Sequence, residues 1–142
     1  MASAPHRVLI VESDELIRLL AEEWLASAGY EVVAISQPGE CPAGCKVDAI
    51  VADLPAPRAN GSDTVALLRR ICGGAPVVAT SACFMKGVGG CVDAAKRLDV
   101  AHVLPKPYTR EQLLSLVGHT VQDAPEGRRD TGELRLGPAP PR

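Results

Sequence analysis

Aromatic residues are scarce in this chain: one Trp, two Tyr and one Phe among 142 residues. The core must therefore be aliphatic, and stacking of single-stranded nucleic-acid bases on aromatic rings has little to work with. A surplus of one charge is missing too. Lys and Arg number 15 against 17 Asp and Glu, a net charge of −2, which argues against bulk binding to nucleic acid or to an anionic membrane. No apolar run approaches the ~20 residues that a membrane span needs. Met1 to His6 lacks the long apolar core of a signal peptide, and the expected location is the cytoplasm. The five cysteines are an odd count, and without an export signal they are expected as free thiols rather than a disulfide framework. Cys41 and Cys45 are the only close pair; a metal site would need two further ligands, and none is evident beside them.

The apolar runs that do occur are short, as suits buried strands. Residues 7–11, R-V-L-I-V, read as a first strand, and the acidic turn Glu12-Ser13-Asp14-Glu15 follows. Leu16, Ile17, Leu20, Trp24 and Ala28 then recur at helical spacing. Ser13 is a suitable N-cap for that helix, and Gly29 stands where a C-terminal glycine belongs. Residues 31–35 form a second strand. Residues 36–46 contain Pro38, Gly39, Pro42 and Gly44, a density that opposes a regular helix and predicts a loop or at most one turn. A third strand, 49–52, ends at Asp53, and a Pro-rich loop closes at Gly61. A helix over about 62–72 buries Val65, Leu68 and Ile71 and stops at Gly73-Gly74. Residues 75–81 are a fourth strand, followed by a Gly-rich loop over 82–90 and a helix over about 91–98 that buries Val92, Ala95 and Leu98. Residues 101–104 are a fifth strand, ending at Pro105-Lys106-Pro107. Thr109 opens the last helix with Gln112 at capping-box spacing, and Leu113, Leu116 and Val117 give it an apolar face. From residue 122 Pro, Gly and Arg dominate, and 122–142 reads as a disordered tail. Residues 1–6 are a short leading tail, and 7–121 one domain. Strands alternating with helices predict an α/β fold, a doubly wound five-stranded parallel sheet with its second helix shortened or absent.

In such a sheet the loops at the carboxyl ends of the strands converge on one edge, where ligands bind. The first strand brings Glu12, Ser13 and Asp14 there, the third Asp53, the fourth Ser81 and Ala82, and the fifth Lys106 and Pro107. Singly, each residue has an ordinary reading: a capping aspartate, a strand-end hydroxyl, a solvated lysine. Together they are a chemistry. Carboxylates suit Mg²⁺, which prefers oxygen ligands. A lysine and a hydroxyl opposite an aspartate can hold phosphoryl oxygens as charge develops, and an aspartate can itself accept a phosphoryl group.

The V-E-S-D turn, the D-L-P-A-P-R-A-N-G loop, T-S-A and K-P-Y, in this order, resemble a response-regulator receiver domain of two-component signalling, the CheY-like, flavodoxin-like type. The resemblance covers about residues 7–121 and includes the interval from Asp53 to Gly61. It implies that Asp53 is the phospho-acceptor, that Lys106 and Ser81 contact the phosphoryl group, and that Pro107 follows a peptide bond often found cis. It implies a Mg²⁺ site formed by Glu12, Asp53 and the backbone carbonyl of Pro55, with Ser13 or Asp14 as a further candidate. Ala82 is small, as access to the aspartate requires. Two departures stand out. Ser13 occupies the place where the family has a second metal-binding aspartate, so Mg²⁺ binding is expected to be weak. Val103 replaces the aromatic switch residue. The implied function is a single-domain, non-enzymatic phosphorelay protein, at most slowly dephosphorylating itself. It would be phosphorylated by a sensor histidine kinase or a phosphotransfer protein and would signal by protein–protein contact, with no nucleic-acid or membrane partner. The alternatives are a degenerate, unphosphorylated receiver acting as a protein-binding module, and a small flavodoxin-like protein, which the acidic E-S-D-E loop disfavours because it repels a flavin phosphate.

Overall fold

Five short strands, β1 Arg7–Val11, β2 Glu31–Ile35, β3 Ala49–Asp53, β4 Val77–Ser81 and β5 His102–Pro105, form one parallel sheet in the order β2-β1-β3-β4-β5. The structure is a computed structural model and describes residues 4–42, 44–54, 61–81 and 100–123. Among the described residues the helices are α1 Glu15–Ser27, α2 Gly61–Ile71 and α3 Arg110–Asp123. This is the doubly wound α/β sheet that the alternation of elements predicts. The expected helix over 91–98, the loop over 82–90 and all but the first two residues of the tail expected over 122–142 lie outside the described residues; residues 122 and 123 instead close α3. None of the helices is long and apolar enough to cross a membrane.

The strands are nearly continuous apolar runs because both faces of the sheet are covered. Side chains alternate between those faces. Leu9, Val11, Ile50, Ala52, Val77, Ala79 and Val103 join Val65 and Leu68 of α2 in one core layer. Val8, Ile10, Ala49, Val51, Val78 and Leu104 join Ala21 and Leu25 of α1 and Leu113 and Val117 of α3 in the other.

Local signals close α1 and open α3 where the sequence places them. After α1, Gly29 takes a φ of 100°, its N–H donates to Ala26 O at 3.0 Å, and that of Tyr30 donates to Leu25 O at 3.2 Å. This crossed pair satisfies carbonyls that the helix end would otherwise leave open. At the start of α3 the Thr109 N–H donates to Gln112 Oε1 at 2.9 Å and the Gln112 N–H to Thr109 Oγ1 at 3.1 Å, a reciprocal capping box. Between β2 and β3 the described residues hold only a 3-10 turn, Pro38–Glu40, so no regular helix covers that stretch.

The sheet order places β1 beside β3, although the chain visits β2 between them. This reversal opens a crevice at the carboxyl ends of β1 and β3. The register finishes the placement. Val11 pairs with Ala52, so Glu12 stands level with Asp53. Ser81 pairs with Pro105, and the Lys106 N–H donates to Ser81 O at 3.0 Å, so Lys106 emerges on the same edge.

Candidate functional site

The crevice gathers Glu12, Asp53 and Lys106 into one cluster. The Lys106 ammonium lies 2.8 Å from Glu12 Oε1 and 2.8 Å from Asp53 Oδ1. Glu12 is only 3% exposed, and a buried carboxylate needs such a partner. Burial works against the charge on Lys106, but hydrogen bonds and attraction from Asp53 and Glu12 outweigh it and raise its pKa above the usual value. One ammonium against two carboxylates leaves the cluster with a residual negative charge. Tyr108 registers that field: burial first, then the charges of Glu12 and Asp53, push its phenol up to about 12.

The backbone holds Glu12 in place. Its N–H donates to Ile35 O at 3.0 Å, its Oε2 accepts from the Asp14 N–H at 3.1 Å, and its carbonyl accepts from Arg18 Nη1 at 2.9 Å. These contacts correct one expectation. The N-cap of α1 is Asp14, not Ser13: Asp14 Oδ1 accepts from the Ile17 N–H at 3.0 Å, and Asp14 O accepts from the Arg18 N–H at 2.9 Å. The Glu12 carboxylate claims the Asp14 N–H, so the turn closes there and the helix begins one residue later. Ser13 is left exposed on the rim, and one oxygen of the Asp14 carboxylate is engaged at the helix end.

Ser81, 1% exposed, ends β4 beside this cluster. The Lys106–Pro107 peptide is cis. Val103 is buried in the core layer on the α2 side, one residue before Leu104 and with no ring to swing outward. Pro55 and Ala82 lie outside the described residues. The donor set fits a hard divalent cation: oxygens of Glu12 and Asp53, in a site whose net charge is negative. Of the other two candidates, Ser13 is neutral and Asp14 caps α1.

Sequence reasoning assigned no role to Arg18 or Tyr108. Arg18 stands one helical turn after the N-cap, which is the signal that would have pointed back to the Glu12 carbonyl. Tyr108 packs edge-on against Trp24, with ring centres 6.4 Å apart at 69°. The two rings, with Ile17, Leu20, Lys106 and Pro107, line an apolar groove of about 430 Å³ beside the cluster.

No protein-family model matches the chain. The transcriptional regulatory protein PdtaR of Mycobacterium tuberculosis, in two strains, is 30% identical over 122 residues, covering 82% of this chain and 57% of the relative. The chain thus spans little more than half the length of that relative. Among solved structures, the chemotaxis response regulator CheY4 of Vibrio cholerae matches with a TM-score of 0.66 at 23% identity, over 82% of this chain and 98% of that one. The receiver domain of the sensor histidine kinase PA1611 of Pseudomonas aeruginosa, described with a magnesium ion in its active-site cleft, matches with a TM-score of 0.64 at 22% identity, over 84% of this chain and 100% of that one.

Proposed function

We propose that this chain, which has the CheY-like receiver fold, is a response-regulator receiver domain that works in two-component signalling by accepting a phosphoryl group on Asp53. One observation carries the reading: Lys106 is held 2.8 Å from both Asp53 Oδ1 and Glu12 Oε1. That puts the cation where phosphoryl oxygens arrive when the aspartate reacts. In the reaction a carboxylate oxygen of Asp53 attacks phosphorus. The bond from phosphorus to the donor's imidazole nitrogen breaks, the imidazole leaves, and an acyl phosphate remains on the protein. Lys106 then passes from the carboxylates to the new oxygens, and the Ser81 hydroxyl is the second contact. Glu12 and Asp53 would hold Mg²⁺, as a magnesium-bound site of the same fold suggests; when bound, the ion offsets charge on the phosphoryl oxygens.

The donor would be a sensor histidine kinase or a phosphotransfer protein, and the output a protein–protein contact. The protein is a signalling acceptor rather than an enzyme. The exposed, neutral Ser13 favours one rival, a receiver that binds partners without being phosphorylated. A single measurement separates the two. Acetyl phosphate with Mg²⁺ should add one phosphoryl mass to the protein, and Asp53→Asn should abolish the addition. A wild-type protein that gains no mass would favour the rival, and an Asp53→Asn variant that gains it equally would place the phosphoryl group on another residue and overturn the assignment of Asp53.

A further inference from the structure

Folding brings a distant cysteine, Cys72, to the pair Cys41 and Cys45 that lie close in the sequence. Cys41 and Cys45 lie in the segment between β2 and β3, and Cys72 follows the last turn of α2. Their sulfur atoms all lie within 4.8 Å of one another, and those of Cys41 and Cys72 are 3.8 Å apart. From this geometry we infer that Cys41, Cys45 and Cys72 form a binding site for a soft, thiophilic metal ion held by three sulfurs.

The distances fit such an ion. A metal–thiolate bond of about 2.3 Å sets three sulfurs around one centre at about 4 Å from each other. The ligand type selects the class: thiolates prefer monovalent copper or zinc to the hard cations that suit the carboxylate site. No fourth Cys, His, Asp or Glu joins the group among the described residues. The protein therefore offers three ligands, not the closed set of four typical of a structural zinc site. Cys72 is buried and the other two are half-buried at the edge of the core, so the cluster has an apolar backing.

The backbone holds the cluster in shape. The Cys45 N–H donates to Pro42 O at 3.2 Å, closing a turn, and the Cys41 N–H donates to Pro38 O at 3.1 Å. Gly44 sits at a φ of 73°, a left-handed value that strains residues bearing a β-carbon. The Cys72 N–H donates to Leu68 O at 2.9 Å as α2 ends. Burial, then the neighbouring Cys41, holds the Cys72 thiol at about 12, and burial also raises Cys45. Each thiol releases its proton to solvent as its sulfur bonds the ion.

The site is separate from the carboxylate cluster. It is built where the chain leads into β3 and leaves α2 for β4, toward the amino ends of those strands, whereas Glu12 and Asp53 lie at the carboxyl ends. A bound ion would tie a segment with no regular helix of its own to α2.

The test uses the full chain with Cys83→Ser and Cys91→Ser, so that only the three clustered thiols remain, reduced and free of oxygen. Titration with Cu⁺ against a competing chelator, and separately with Zn²⁺, measures uptake and tells the two ions apart. The inference expects one equivalent of at least one ion, protection of all three thiols from alkylation, and a raised melting temperature. Cys72→Ser should abolish the uptake. Cys41→Ser, at a half-buried position that the fold tolerates more easily, should weaken it at least ~10-fold, the loss of about one ligand contact. Uptake of neither ion, protection of only two thiols, uptake unchanged in Cys41→Ser, or a disulfide in place of the free thiols would overturn the inference.

Discussion

At the scale of single residues, Ser13 and Asp14 stand side by side, and only Asp14 carries a charge. Asp14 caps α1 through the Ile17 N–H, and Ser13 stands exposed beside Glu12 without a charge. Mg²⁺ loses its water reluctantly and is held mainly by carboxylates and phosphate oxygens. Ser13→Asp is therefore expected to tighten Mg²⁺ binding and to speed labelling of Asp53 by acetyl phosphate. A Mg²⁺ titration of both proteins checks this; equal affinities would mean that Glu12 and Asp53 already suffice. Asp14→Ala should behave differently. It should cost about 1 kcal/mol in stability, the usual worth of such a cap, and leave Mg²⁺ affinity near the wild-type value. Thermal unfolding beside the same titration separates these effects.

At the scale of elements, α1 carries the most exposed apolar side chains near the site among the described residues. Leu16, Leu19 and Leu20 are 67%, 52% and 39% exposed, and Leu20 lines the groove that Lys106 also lines. Exposed apolar patches of this kind mark contact surfaces. If a phosphoryl-donor protein docks there, Leu20→Glu should slow transfer from that protein at least ~10-fold, the equivalent of one contact worth about 1.4 kcal/mol. Labelling by acetyl phosphate, which needs no docking surface, should stay unchanged. Equal losses with both donors would place the effect in the site rather than on α1. Helix ends were the most legible features of the sequence. The Thr109–Gln112 box and Gly29 act within a few residues, where chain order alone decides who meets whom. The start of α1 was misread by one residue because the deciding contact, from the Asp14 N–H to Glu12 Oε2, depends on how the sheet holds Glu12.

At the scale of the whole molecule, the Glu12–Lys106–Asp53 cluster joins the ends of β1, β3 and β5, so its ionisation is coupled to folding. Lys106 has a folded-state pKa above the ordinary 10.5. The stability it contributes is fully present below pH 10.5 and is lost as pH rises through the raised value. Tyr108, raised from 10.0 to about 12, acts in the same direction, because the unfolded chain gives up its phenolic proton first. Stability should thus fall as pH rises from about 10 to 12, and less steeply in Lys106→Met, as denaturant unfolding at stepped pH would show; an unchanged slope would count against the coupling. The strands, most helix bounds, the parallel sheet and the residues at its carboxyl edge were legible in the chain alone. Those follow from local periodicity, caps and glycines, together with the rule that parallel strands end on one side. Three features emerge with packing: Lys106 bridges both carboxylates, Asp14 is spent on the helix, and Cys72 meets Cys41 across 31 positions. Each is a contact between segments distant in the chain, set by register and packing to within an ångström, which no local pattern encodes.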